Sequence, residues 1–178
     1  MPATAGRGLG LVVLIALTWK VLAQGLSMRD STVLAFIHGI DLVFHEAGHV
    51  IFGFFGEFVA VLGGSLTQVL IPVIATVAFL RTGQWASAAV TLFWTGQSLT
   101  DVAIYAADGR ARALPLLAEG LIHDWHYILG RLGLLQSAEL VGRAIFALGA
   151  LTMVASLLLL ALDALRCWNA SESTVQRA

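Results

Sequence analysis

The sequence predicts an all-α fold, a polytopic membrane helix bundle with about five transmembrane helices. Of its 178 residues, 58% are hydrophobic and 12% charged, and the mean hydropathy is +0.87. That is more apolar surface than one soluble core of this size can bury. Apolar runs near the roughly 20 residues that cross a bilayer recur at about 9–27, 32–56, 59–80, 86–107 and 139–166. The breaks between the early runs are short: Met28-Arg29-Asp30-Ser31, Gly56-Glu57 and Arg81-Thr82-Gly83-Gln84. Only 108–138 is long, and its Pro115 and His123-Asp124-Trp125-His126-Tyr127 read as an interfacial loop with a short helix. Residues 1–178 are therefore expected to form a single transmembrane domain, without internal repeats.

The first run follows Arg7 and ends near the small residue Ala23, so it imitates a secretory signal peptide. Lys20 interrupts the approach to cleavage, and an uncleaved anchor accounts for the run equally well. With five spans the ten Lys and Arg divide evenly between the two sides, so charge assigns no orientation. The net charge of −1 and the lack of a basic tract exclude a nucleic-acid partner. Cys167 is the only cysteine, which rules out an internal disulfide and a thiolate-rich metal site. Any metal must be held by nitrogen and oxygen.

The second run contains His45-Glu46-Ala47-Gly48-His49, an HExxH pattern. Residues four apart share a helix face, so His45 and His49 can put two imidazoles on one ion, with Glu46 aimed at its water. At 100 degrees per residue, His38, Asp41, His45 and His49 fall within about 80 degrees of one another, and Glu46 lies on the edge of that sector. Ionisable groups in lipid cost several kcal/mol each unless paired, solvated or ligating, so this stripe must face the interior. His38 reads as a hydrogen-bonded interior histidine rather than a ligand. Asp41 stands four residues before His45, where its carboxylate can accept the second imidazole N–H. Gly48, Gly53 and Gly56 would admit a neighbouring helix.

The fourth run carries a second stripe. Trp94, Gln97, Asp101, Tyr105 and Asp108 share one face, with Asp101 expected at the depth of the metal and Asp108 at the rim. A catalytic zinc takes three protein ligands and keeps one position open. His45 and His49 supply two; Asp108, His123, Asp124 and Asp101 remain candidates for the third. His123-Asp124 can alternatively start an interfacial helix, with Trp125 and Tyr127 as headgroup anchors and His126 interfacial. Asp108 can alternatively end a span, paired with Arg110 or Arg112.

HEAGH in a membrane span, then Gly63-Gly64-Ser65, then a later span ending in Asp108-Gly109-Arg110, resembles the site-2 protease family of intramembrane zinc metalloproteases. In that family the two histidines bind zinc, the glutamate is the general base, and the aspartate of a later Asp-Gly motif is the third ligand. The resemblance spans about 32–112 and is most specific at HEAGH. It implies a bound Zn2+, ligand roles for His45, His49 and Asp108, and the base role for Glu46. Tyr105-Ala106-Ala107 stand where the family has an Asn-Pro before its Asp-Gly. The chain is also similar to a group of small bacterial membrane proteins sharing HEAGH, the Gly-Gly stretch and His-Asp-Trp, which implies a multi-pass protein of the bacterial inner membrane.

The activity so implied is hydrolysis of peptide bonds in membrane-associated substrates. Gly63-Gly64 is expected to lie beside a locally unwound, extended substrate. The alternative expectation is a metal-ion or proton pathway lined by the two stripes, or a membrane metal-binding protein without proteolysis. A di-iron hydroxylase or desaturase is excluded by counting, because such sites use about eight histidines and this chain has five.

Overall fold

A computed structural model describes residues 2–27, 32–116 and 122–175, and every regular element among them is helical. The order is α1 (Pro2–Gln24), α2 (Thr32–Phe52), α3 (Glu57–Arg81), α4 (Trp85–Asp108), α5 (Asp124–Arg131) and α6 (Ala138–Val175), with 3-10 turns at Gly53–Phe55 and Leu135–Ser137. The expected break at Met28–Ser31 and residues 117–121 of the long loop lie outside the described residues.

Three stretches are long and apolar enough to cross a membrane: Thr4–Gln24, Glu57–Arg81 and Leu135–Glu172. Five were expected. The two helices that fall short are those carrying the polar stripes, α2 and α4, at 21 and 24 residues. His38, Asp41, His45, Glu46 and His49 in the first, and Gln97, Ser98, Thr100 and Asp101 in the second, lower their hydropathy. The expected span at 139–166 lies within α6, which runs for 38 residues, about 57 Å at 1.5 Å per residue. Bilayer thickness limits a span, not the helix that contains it.

Polar side chains are buried between the helices while large apolar ones are exposed. Asp41, Gln97, Ser98, Thr100 and Ser156 are fully buried, whereas Val12, Phe36, Val43, Val50, Leu151 and Leu158 are exposed. α4 lies at the centre, packed on α6, α3 and α1. Its contact with α6 is close because small residues meet there: a Cβ at Gly96 would stand 2.7 Å from the Gly149 carbonyl, and one at Gly142 would stand 2.6 Å from the Ala107 Cβ. Leu14, Val21, Leu34, Phe93, Met153 and Leu160 fill the space between α1, α2, α4 and α6. Arg7 on α1 pairs with Asp163 on α6, which ties the first helix to the last.

The α2–α3 crossing positions the site. A Cβ at Gly63 would meet the Phe52 Cβ at 2.7 Å and the Gly48 carbonyl at 2.8 Å, and a Cβ at Gly48 would overlap Gly63 more severely still. Of the three glycines expected to admit a neighbour, Gly48 does so, while Gly53 and Gly56 have open space around them. Gly56 serves the turn into α3 instead, at φ +93°.

Candidate metal centre

His45 and His49 project from α2 towards α3 and α5, and both Nε2 atoms face one carboxylate oxygen. His45 Nε2 lies 2.8 Å from Asp124 Oδ2, and His49 Nε2 lies 3.2 Å from the same atom. The ligand atoms of His45, His49 and Asp124 all fall within 4.8 Å of one another, the one such three-residue group among the described residues. Asp124 opens α5, so a carboxylate at a helix N-terminus is presented to two imidazoles one turn apart.

The far nitrogens determine the tautomer. His45 Nδ1 is 3.2 Å from Gln68 Oε1, and His49 Nδ1 is 2.9 Å from the Ala60 carbonyl. Both partners are acceptors, so each Nδ1 carries the hydrogen and each Nε2 presents a lone pair. Two lone pairs and a carboxylate then converge without a hydrogen between them. Only a positive charge at that point, an extra proton on a ring or a metal ion, reconciles them. A divalent metal fits the donor set: two imidazoles oriented by carbonyl oxygens and one carboxylate, all nitrogen or oxygen.

Burial by itself would raise the Asp124 carboxyl. When the rings carry the extra proton, the hydrogen bonds they donate to it, His45's first and then His49's, outweigh that effect and hold it below the usual carboxylate range.

Neither of these supporting contacts follows from the HExxH spacing. Gln68 lies one turn after Gly64 on α3, and a Cβ at Gly64 would stand 2.6 Å from His45 Nε2 and 2.7 Å from His49 Nε2. The bare glycine lets the imidazoles rest on α3, where Gln68 and Ala60 meet them. A lone amide within an apolar span was the available signal for Gln68. Gly63 and Gly64 are therefore helical and covered by α2, which corrects the expectation that an extended substrate lies along them.

Asp108 stands apart from this convergence. Its Oδ1 accepts from the Ala113 N–H at 2.9 Å, and its Oδ2 accepts from the Leu114 N–H at 3.0 Å and faces His123 Nε2 at 3.1 Å. The Asp-Gly resemblance offered it as the third ligand. The chain turns sharply after α4 instead, and the carboxylate is drawn into that turn. His123 is likewise engaged: its Nδ1 accepts from the His126 N–H as the cap of α5, and its ring stacks on Tyr105 at 4.2 Å. The pair starts a helix, as the alternative reading expected, and that helix brings Asp124 to the two imidazoles.

Of the two anchors predicted for α5, Trp125 faces inward, whereas Tyr127 stays near the surface beside Glu57 and Arg131. Trp125 Nε1 donates to Ser65 Oγ at 3.1 Å, the residue after Gly64, and this bond seats α5 on α3. His126 Nδ1 meets the Gly109 carbonyl at 2.8 Å, which ties α5 to the end of α4. Tyr105 Oη accepts from the Asp124 N–H at 3.1 Å.

On the second stripe, Asp101 Oδ2 bonds His38 Nδ1 at 3.1 Å and Gln97 Nε2 at 2.6 Å. Asp101 therefore meets the helix seven residues before His45, not at the depth of the triad. Asp41 was expected to orient His45. Its Oδ1 instead accepts from Trp94 Nε1 at 2.7 Å and Ser98 Oγ at 3.0 Å. Helical side chains lean towards the N-terminus, which carries Asp41 away from His45 and onto α4.

A cavity of about 940 Å³ opens between α2, α4 and the start of the long loop. His45, Glu46, His49, Asp101, Tyr105 and Asp124 form its polar side, and Ala35, Leu42, Val102, Ile104, Leu114 and Pro115 its apolar walls. Glu46 is exposed into this space, on the sector edge where the projection put it. Comparison with protein-family models, with curated proteins and with solved structures returns no match.

Proposed function

We propose that this chain is a membrane-embedded zinc metallopeptidase acting on membrane-associated peptides, a multi-pass protein of the bacterial inner membrane. In this reading α2 and α4 cross the bilayer together with α1, α3 and α6. The exposed apolar face of α2, with Phe36, Val43 and Val50, supports the crossing. The observation that carries the proposal is the convergence of two Nε2 lone pairs and the Asp124 carboxylate beside Glu46 in one cavity.

Zinc held by His45, His49 and Asp124 would supply a Lewis acid for the scissile carbonyl and would acidify water. The protein's residues do the rest. Gln68 and the Ala60 carbonyl hold the imidazoles in the ligating tautomer. Glu46 takes the proton from the attacking water and returns it to the leaving nitrogen. Leu42, Val102 and Ile104 shield the site and accept apolar substrate side chains. A helical substrate must unwind locally before its carbonyl reaches Glu46, because its own hydrogen bonds hide that group.

The test combines metal analysis of the purified protein with cleavage of membrane-spanning peptides in liposomes. Glu46→Gln is expected to keep its metal while losing about 10²–10⁴-fold in turnover, the usual worth of a general base. Cleavage by Glu46→Gln at the parental rate would refute the mechanism. Zinc flux into the liposomes without peptide hydrolysis would replace it with the transporter reading.

A further inference from the structure

Apart from the His45–His49–Asp124 convergence, α2 and α4 enclose a second polar cluster whose acceptors outnumber its donors. Asp41 is fully buried; Oδ1 is satisfied by Trp94 and Ser98, and Oδ2 is buried with no hydrogen-bond partner. Gln97 stands between Trp94 and Ser98 on α4, is also fully buried, and donates its amide to Asp101. That leaves Gln97 Oε1 as a second buried acceptor with no partner. Two residues on facing helices thus each keep one acceptor that nothing in the fold supplies.

The charges point the same way. The ionisable groups acting on Asp41 are Asp101 from α4 and His38 from its own helix. α3, the other helix packed on α2, has no ionisable residue between Glu57 and Arg81. Asp41 thus shares the interior with a second carboxylate, Asp101, and with the half-exposed imidazole of His38. A buried carboxylate without a positive partner is strongly disfavoured in lipid.

We propose that Asp41 Oδ2 and Gln97 Oε1 together bind one monovalent cation, either a proton or Na+, at a site separate from the His45–His49–Asp124 centre. A proton makes Asp41 a carboxylic acid whose O–H donates to Gln97, which satisfies both acceptors at once. Na+ satisfies them by direct coordination to the carboxylate and the amide oxygen. His38 and Asp101 line the cavity and provide the route in. α2 meets α4 far less extensively than it meets α3, so this cation is one of the few links between the two walls of the cavity, and its loss loosens them.

Infrared spectroscopy and thermal melting of the purified full chain in lipid test this without any assay of hydrolysis. In sodium-free buffer at neutral pH, a protonated-carboxyl carbonyl band that disappears in Asp41→Asn and shifts in Gln97→Met identifies the proton. If the parent lacks that band, a sodium-dependent rise in melting temperature that both variants lose identifies Na+. Unchanged carboxyl bands together with parental sodium dependence in the variants would overturn the proposal. Gln97→Met decides alone if Asp41→Asn does not fold: no band shift and no lost sodium response is the overturning result.

Discussion

Asp124 and Asp108 are both aspartates facing a histidine Nε2 at the same end of the bundle, yet their surroundings differ. Asp108 accepts two backbone N–H groups and faces His123, so its lone pairs close a turn. The Asp124 oxygen meets two imidazoles whose hydrogens are held on their far nitrogens. One carboxylate has its donors supplied by the fold, and the other faces lone pairs that a bound cation would reconcile with it. A candidate ligand is marked here less by residue type or motif than by this unmet demand for positive charge.

The sharpest way to break that contrast is to remove each carboxylate in turn. Asp124→Ala is expected to weaken metal binding beyond the ~10–100-fold typical of losing an outer hydrogen-bond partner, measured by competition with a calibrated chelator. Near-parental affinity in that variant would exclude Asp124 as a ligand. Next in size, Gln68→Leu removes the acceptor that orients His45 and should cost about 10–100-fold in affinity with unchanged stoichiometry. No change there would mean that the ring is held by other contacts.

Asp108→Ala tests the other side of the comparison. It leaves the part-buried Leu114 amide and His123 without their acceptor, at about 1–3 kcal/mol for a buried unsatisfied group, while the exposed Ala113 amide can turn to water. The expected result is a lower unfolding midpoint with one metal still bound at saturation. Loss of metal at saturation would instead return Asp108 to the ligand set.

The smallest expected effect concerns acid. The Asp124 carboxyl is held below its ordinary value, so in the metal-free protein its stabilisation is complete above about pH 3.9, the unfolded reference. It is lost as pH falls through the lower folded value. Acid unfolding of the parent and Asp124→Asn should therefore converge only at strongly acidic pH. Convergence already at neutral pH would mean that the His–Asp contacts contribute nothing without metal.

Much of the site was legible along the chain. The four-residue spacing of His45 and His49 puts them on one face of any helix, and Glu46 beside them follows from the same geometry. The α4 stripe was legible for the same reason, and Trp94, Gln97, Asp101, Tyr105 and Asp108 all make interior contacts. The partner of each residue was not. Asp41 meets Trp94 rather than His45, and Asp101 meets His38 rather than the triad, because those choices depend on how α2 is rotated against α4. The spans expected at α1, α3 and α6 coincide with helices long and apolar enough to cross a membrane, whereas those expected at α2 and α4 fall short because of the polar residues that build the site.

Local periodicity alone thus determined the helices, their polar faces and the paired imidazoles, since each follows from 3.6 residues per turn. Which carboxylate joins those imidazoles was decided by packing. Bare glycines at 48, 63 and 64 bring α2 onto α3, Ser65 then seats Trp125, and that seat carries Asp124 across 79 residues of chain to His45. Contacts at such separation depend on the crossing of whole helices, which no repeat within one helix encodes.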